Sequence, residues 1–168
     1  MALKPFNGVE PSEILAALGR DCDPEQIVSI MLRATVPPMR SLDEKEQWLR
    51  LKGILGCPIV YDAFGLTSLP INPPAPFRYS NGLEIIGTLA NLLMRGGVHA
   101  RFVDGHESAL MVSRGFLDAA LLGQYEGTEA YSCRGAWCEW FIGEHILDET
   151  VLIGNRGEWW LLAVTGTD

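Results

Sequence analysis

The chain has 168 residues, of which 48% are hydrophobic, and carries a formal net charge of −8 with a pI near 4.8. This length and hydrophobic content suit one compact domain, so we expect residues 1–168 to form a single domain with a sizeable core. An acidic chain repels the phosphates of nucleic acids and of anionic lipids, which excludes both as expected partners. A basic protein, a peptide or a small molecule remains open as the partner.

The sequence shows no signal for secretion or for insertion into a membrane. The first residues, MALKPFNGVEPSEIL, hold no apolar stretch of the length that a secretory signal peptide needs. No run approaches the roughly 18 apolar residues of a membrane-spanning helix. We therefore expect a cytoplasmic protein without a membrane partner. Its cysteines should then be reduced thiols, at Cys22, Cys57, Cys133 and Cys138.

Residues 1–56 are predicted to form a helical N-terminal part. Asp23 as N-cap and Pro24 at the first helical position predict a helix that ends by Val36, because a pair of prolines follows. The next capping box, SLDE, predicts a helix that runs to about Leu55.

The middle of the chain carries the strongest helix signal. Asn81 as N-cap and Glu84 as the closing residue of a capping box predict a helix that ends at a pair of glycines. Its apolar stripe, which we expect to be buried, comprises Leu83, Ile86, Leu89, Ala90 and Leu93. The segment CPIVYDAFG predicts a buried strand or an extended segment, and VHARFVDG predicts a strand. SALMVSRGFLDAALLG fits either one helix or a strand followed by a helix, and GQYEGTEAYS predicts an exposed loop.

The C-terminal part predicts three or four antiparallel strands, with turns at Gly143 and at residues 154–157. Helices first and strands last imply an α+β fold. We expect N-terminal helices followed by a central helix packed on a C-terminal antiparallel sheet, so that residues 79–168 form the helix-plus-sheet core.

The stretch RGAWCEWFIGEHILDET, residues 134–150, concentrates the residues that could carry chemistry. If Cys133 and Cys138 share one strand, they point to opposite faces, and their spacing differs from that of structural zinc sites. We therefore expect no metal and no cofactor. His106 follows a predicted strand end, where functional loops often lie. His99 lies among apolar neighbours, and His145 is expected at an exposed turn.

Two registers are possible for the predicted hairpin around Gly143. A two-residue turn at Gly143-Glu144 places Glu139 opposite Asp148, where the two carboxylates would repel unless a cation or a proton lay between them. A turn centred one residue earlier pairs Asp148 with Trp137 instead.

From Tyr79 to Thr150 the order of motifs resembles the core of transglutaminase-like proteins. NGLEIIGTLANLLMRGG, VHARFVDGH and GAWCEWFIGEHILDET are similar to the family's nucleophile helix, its GIPARYVSGY-like strand and its HAWVEV and VDPT segments. The resemblance implies a transglutaminase/papain-like core and a Cys-His-Asp site for acyl transfer. There, a cysteine at a helix N-terminus pairs with a histidine that an aspartate orients.

Carried over residue by residue, the resemblance places the family's aspartate on Asp148. It places the histidine on Gly135 and the cysteine near Gly82, so two of the three triad positions lack their working side chains. The usual Cys-His-Asp acyl transfer is therefore not expected.

Three functional hypotheses remain open. The first is a transglutaminase-like pseudoenzyme or repurposed pathway enzyme that binds a peptide, a protein or a small molecule and uses Asp148 and Glu139. The side chains that would line its cleft are Trp137, Trp140 and His99. The second is an acidic cytoplasmic inhibitor, such as an immunity-type protein, that binds a basic partner. The third is a rearranged thiol enzyme that uses Cys133 with His106.

Overall fold

One six-stranded antiparallel sheet organises the fold, which is α+β as predicted. The structure is a computed structural model that describes residues 4–5, 27–35, 44–67, 77–95, 105–121, 123–141, 147–155 and 157–166. The strands are β1 (Lys4–Pro5), β2 (Ile27–Thr35), β3 (Phe77–Asn81), β4 (Glu129–Arg134), β5 (Leu147–Asn155) and β6 (Glu158–Gly166). They lie in the order β1-β2-β6-β5-β4-β3, and every neighbouring pair is antiparallel.

Helices cover both faces of this sheet. Within the described residues they are α1 (Glu44–Leu55), α2 (Pro58–Phe64), α3 (Gly82–Arg95) and α4 (Gly105–Leu121). α3 and α4 share one core with strand residues such as Val151 and Ile153, whereas α1 and α2 share another with Leu152 and Leu161. Successive residues of a strand point to opposite faces, so β5 and β6 contribute to both cores. None of the described helices is long and apolar enough to span a membrane.

The predicted start of α3 is confirmed. The Asn81 side chain accepts hydrogen bonds from the backbone N–H groups of Leu83 (2.9 Å) and Glu84 (3.0 Å), and the Glu84 carboxylate accepts one from the Asn81 N–H (3.2 Å). These bonds satisfy N–H groups that have no partner within the helix. The predicted stripe is partly wrong, because Leu83 is 78% exposed and the buried face includes Ile85 and Leu92.

Another local prediction is confirmed, because α1 ends at Leu55. Of the two alternatives for SALMVSRGFLDAALLG, the structure shows one helix, α4, as far as Leu121. The exposed loop predicted for GQYEGTEAYS is confirmed for residues 123–127 and wrong from Glu129, where β4 begins. Near the predicted turn at residues 154–157, β5 ends at Asn155 and β6 begins at Glu158, and these two residues pair.

The prediction of a helix ending by Val36 is wrong for residues 27–35, which form β2. All nine residues of β2 pair with β6, from Ile27 opposite Gly166 to Thr35 opposite Glu158. A capping signal contributes about 1 kcal/mol, and this long ladder outweighs it. The part predicted to be helical therefore shares a sheet with the C-terminal strands. Asp23 and Pro24 lie outside the described residues, as do residues 98–104 of VHARFVDG.

The prediction of a strand at CPIVYDAFG is wrong as well, because Pro58–Phe64 forms α2. Pro58 occupies the start of the helix, where its missing N–H costs nothing. Gly65, with φ of 62°, ends the helix in the left-handed conformation that glycine adopts readily. A short apolar run fits either a strand or a helix, and here Pro58 at the start and Gly65 at the end favour the helix.

The hairpin predicted within residues 134–150 does not form as expected. β4 ends at Arg134, and residues 135–141 are turns and bends. Cys133 pairs with Thr150 on β5, so neither predicted register occurs. Gly135, with φ of 118°, takes the chain out of the strand in a conformation that other residues rarely adopt. Gly143 lies outside the described residues.

Gly154 provides a test of the β5–β6 packing. A Cβ added there would lie within 3.0 Å of indole carbons of Trp159, which faces it across the ladder. We expect Gly154→Ala to lower the free energy of unfolding by about 2 kcal/mol, as measured by urea denaturation. The matched control is Gly115→Ala on α4, where nothing lies within 4 Å of the added Cβ. The control should raise stability by up to about 1 kcal/mol, and equal effects of the two changes would contradict this packing.

Candidate functional site

One end of the sheet gathers several of the predicted site residues. β4 ends there with Cys133 and Arg134, and β5 begins there with Asp148 and Glu149. The pairing of Asp148 with Thr165 adds the end of β6. We call this region the Asp148 end, and the opposite end, which holds the β5–β6 turn, the turn end.

Cys133 lies in the core between the sheet and helices α1 and α2. Its side chain is 0% exposed, and its thiol donates a hydrogen bond to the Gly135 carbonyl (3.3 Å). Burial raises the pKa of the Cys133 thiol to about 12, and the charges of Glu149 and Asp148 add to the increase. A nucleophilic cysteine needs the opposite, an accessible and cationic environment that lowers the pKa.

The other described thiols are no better suited to act as nucleophiles. Burial raises the pKa of Cys138 to about 11, although backbone hydrogen bonds from Trp140 and Phe141 oppose the increase. Burial also raises the pKa of Cys57, whose thiol donates to the Gly53 carbonyl (3.2 Å). Among the described cysteines, none has its pKa lowered towards that of a reactive thiolate.

Asp148 lies beside Gly135. The resemblance places the aspartate of the triad at Asp148 and its histidine at Gly135. The Gly135 N–H donates a hydrogen bond to the Asp148 carbonyl (2.8 Å), so the contact runs between backbones. The Asp148 carboxylate instead accepts a hydrogen bond from the Thr165 hydroxyl (2.7 Å). Because Gly135 has no side chain, Asp148 has no imidazole to orient at this position.

Gly82, where the resemblance places the cysteine, lies at the turn end. An added Cβ at Gly82 would lie 3.3 Å from the Thr128 side chain, just before β4 begins, whereas Gly135 follows the last residue of β4. At roughly 3.3 Å per residue, the length of β4 separates the two glycines by about 20 Å. The described structure does not bring the α3 N-terminus and Asp148 into one cleft.

His106 is exposed on the first turn of α4 and lies on the other side of the sheet from Cys133. α4 belongs to the core on the α3 face, and Cys133 belongs to the core on the α1 face. The sheet therefore stands between the imidazole and the thiol. Glu139 is exposed in the segment after β4 and does not pair with Asp148.

The two tryptophans predicted to bind a substrate pack against other aromatic rings. Trp137 is buried, with its ring centroid 5.1 Å from that of Phe64 and 5.8 Å from that of Phe141, and its indole N–H donates to the Thr150 hydroxyl (2.8 Å). Trp140 is half-buried and meets Phe64 edge-on at 5.0 Å. These contacts fasten the segment after β4 to α2. His99 lies outside the described residues.

Glu149 is the main charged group that the sequence analysis missed. Its side chain is 1% exposed and lies 3.6 Å from the Arg95 guanidinium and 3.8 Å from that of Arg134. Burial raises the pKa of Glu149 above its usual value, although both arginines act to lower it. The sequence did hold a signal for this burial. Glu149, Val151 and Ile153 alternate along β5, so all three side chains lie on the α3 face of the sheet.

A second ion pair, also missed from the sequence, lies on the opposite face at the turn end. Arg50 of α1 is 5% exposed and pairs with Glu129 of β4, with its guanidinium 6.0 Å from the centroid of the Trp159 ring. Tyr131 donates a hydrogen bond to the Gln47 carbonyl (3.1 Å), and burial raises the pKa of its hydroxyl to about 12. These contacts tie α1 to the sheet.

Among the described side chains, no three His, Cys, Asp or Glu residues form a group that could hold a metal ion. A scan of the sequence against protein-family models finds no match, and a search of curated proteins finds no relative.

The reactivity of the thiols tests their burial. Because the pKa of Cys133 rises from 9.0 to about 12, its thiolate fraction near pH 8 falls roughly a thousandfold. We expect a Cys22→Ser variant, which retains Cys57, Cys133 and Cys138, to react slowly with iodoacetamide when native and rapidly in denaturant. Mass spectrometry of the labelled peptides identifies each thiol. Rapid native labelling that Cys133→Ser abolishes would contradict a buried Cys133.

The raised pKa of Glu149 predicts a pH effect on stability. Between the usual value of 4.5 and the raised folded pKa, the native state holds a proton that the unfolded state has lost, so the contribution of Glu149 to stability falls as pH rises. Glu149→Gln removes the titrating group and with it this decrease in stability as pH rises. We expect the stability of this variant relative to the unchanged protein to be higher near pH 7 than near pH 4, as measured by urea denaturation.

The matched control for this experiment is Glu139→Gln, on an exposed side chain, which should leave the free energy of unfolding nearly unchanged at both pH values. If the relative stability of Glu149→Gln instead fell as pH rose, Arg95 and Arg134 would outweigh burial at Glu149.

Proposed function

We propose that this chain is a non-catalytic binding protein whose partner is a basic protein. The observation that carries the proposal is the burial of Cys133 behind the sheet from His106, together with the glycines at positions 82 and 135. A thiol acyltransferase needs an accessible thiolate with a base in hydrogen-bond reach. No described cysteine meets that requirement.

The charge of the chain selects the class of partner. With 21 acidic and 13 basic residues, the chain attracts cations at long range and speeds their association. Four of the described arginines already face carboxylates of the chain itself: Arg50 faces Glu129, Arg95 and Arg134 face Glu149, and Arg114 faces Asp118. Exposed carboxylates remain at Asp62, Glu84, Glu107, Glu126 and Glu139.

Binding to a panel of folded basic proteins tests the proposal, with acidic proteins of similar size as the control panel. We expect saturable binding to a basic protein that weakens by at least about tenfold as ionic strength rises from about 0.01 M to about 0.15 M, because the Debye length falls from ~30 Å to ~8 Å. Surface plasmon resonance measures both affinities.

Two results would contradict the proposal. One is binding confined to the acidic panel or indifferent to salt. The other is acyl transfer from a thioester or a glutamine peptide that Cys133→Ser abolishes, since that activity would require the buried thiol to act as the nucleophile.

A further inference from the structure

The turn end carries an exposed surface that combines apolar and acidic side chains. Leu83, on the first turn of α3, is 78% exposed, compared with 69% for Met111 and 55% for Leu49. Tyr125, in the loop between α4 and β4, is 36% exposed. We define the turn-end surface by these two residues with their exposed acidic neighbours Glu84, Asp118 and Glu126.

The two segments that form this surface are in contact. The chain at Gly82 abuts Thr128, since a Cβ added at Gly82 would lie 3.3 Å from the Thr128 methyl group. The Thr128 N–H in turn donates a hydrogen bond to the Tyr125 carbonyl (3.1 Å). Leu83 and Tyr125 therefore project from adjoining segments, and a single partner could cover both.

Hydrogen bonds hold this surface in place. The Asn155 side chain donates to the carbonyls of Gln124 and Glu126 (3.2 Å to the latter), and the Tyr125 hydroxyl donates to the Asp118 carboxylate. The capping box at Asn81 fixes the first turn of α3 in the same way. A surface that is already ordered loses little conformational entropy on binding, which favours affinity.

The charges at this end favour a cationic partner. Three exposed carboxylates, those of Glu84, Asp118 and Glu126, belong to the turn-end surface, and the described guanidinium group beside them is that of Arg114, 3.9 Å from Asp118. At the Asp148 end, by contrast, two arginines surround Glu149. Two copies of the acidic surface would repel each other, which disfavours a second copy of this chain as the occupant.

We infer that the turn-end surface is the docking site for the basic partner, an inference that rests on the proposed function. An apolar side chain of the partner covers Leu83 and Tyr125, and its lysines or arginines face Glu84, Asp118 and Glu126. The apolar contact supplies affinity at the centre, and the surrounding carboxylates supply orientation and association rate.

The probe for this inference is a short cationic amphipathic peptide of arginine and leucine, compared with a peptide of equal charge in which serine replaces leucine. We expect the leucine-containing peptide to bind more tightly. Leu83→Ala should weaken binding of the leucine-containing peptide by about tenfold. The two peptides should then bind this variant with similar affinity. Glu84→Lys with Glu126→Lys should weaken binding of both peptides and flatten the salt dependence.

Matched control variants lie near the start of α4, where Met111 is 69% exposed and Glu107 is exposed four residues earlier on the same face. Met111→Ala and Glu107→Lys should change the affinity less than twofold. Backbone amide shifts in NMR spectra should move at residues 83–84 and 124–127 when the peptide is added.

The outcomes separate this inference from the proposed function. Salt-sensitive binding that the α4 variants abolish and the turn-end variants spare would overturn the docking site and leave a basic partner intact. Failure of both peptides and of every basic protein to bind would overturn the proposed function itself. A dimer of the protein alone that Leu83→Ala dissociates would assign the surface to a second copy and overturn the inference.

Discussion

The ladder between β5 and β6 is the constraint on which the rest of the structure depends. It pairs nine residues on each strand, from Leu147 opposite Gly166 to Asn155 opposite Glu158, and is buried on both faces. A slip of one residue would exchange the side chains of the two cores. The short turn at Gly157 fixes the register, and the helices on each face pack against the side chains that this register presents.

Burial on both faces explains where the charged and nucleophilic groups end up. A buried charge is costly unless it is paired, and among the described residues each face of the sheet holds an ion-pair cluster of this kind. Glu149 holds the end of α3 through Arg95, and Glu129 holds α1 through Arg50. The same burial makes Cys133 a core residue with a raised pKa. Burial therefore keeps the Glu149 carboxylate and the Cys133 thiol away from the outer surface of the described structure.

Local signals in the sequence predicted local structure well. Asn81 and Glu84 form the expected capping box, α1 ends at Leu55, and the β5–β6 turn lies where its glycines predicted. The largest failure, at β2, has a tertiary cause. Residues 27–35 became a strand because they pair with β6, more than 120 residues away, and such a pairing leaves no mark on the local pattern.

The sequence by itself determined the α+β class, the acidic charge and the lack of a cysteine at Gly82 and a histidine at Gly135. Each of these follows from residue identity or from neighbours along the chain. Only the tertiary structure decided that the sheet separates Cys133 from His106 and that Glu149, rather than Asp148, is the buried carboxylate. Those outcomes depend on strand pairing between distant segments, because the pairing partner determines which face a side chain occupies and what covers it.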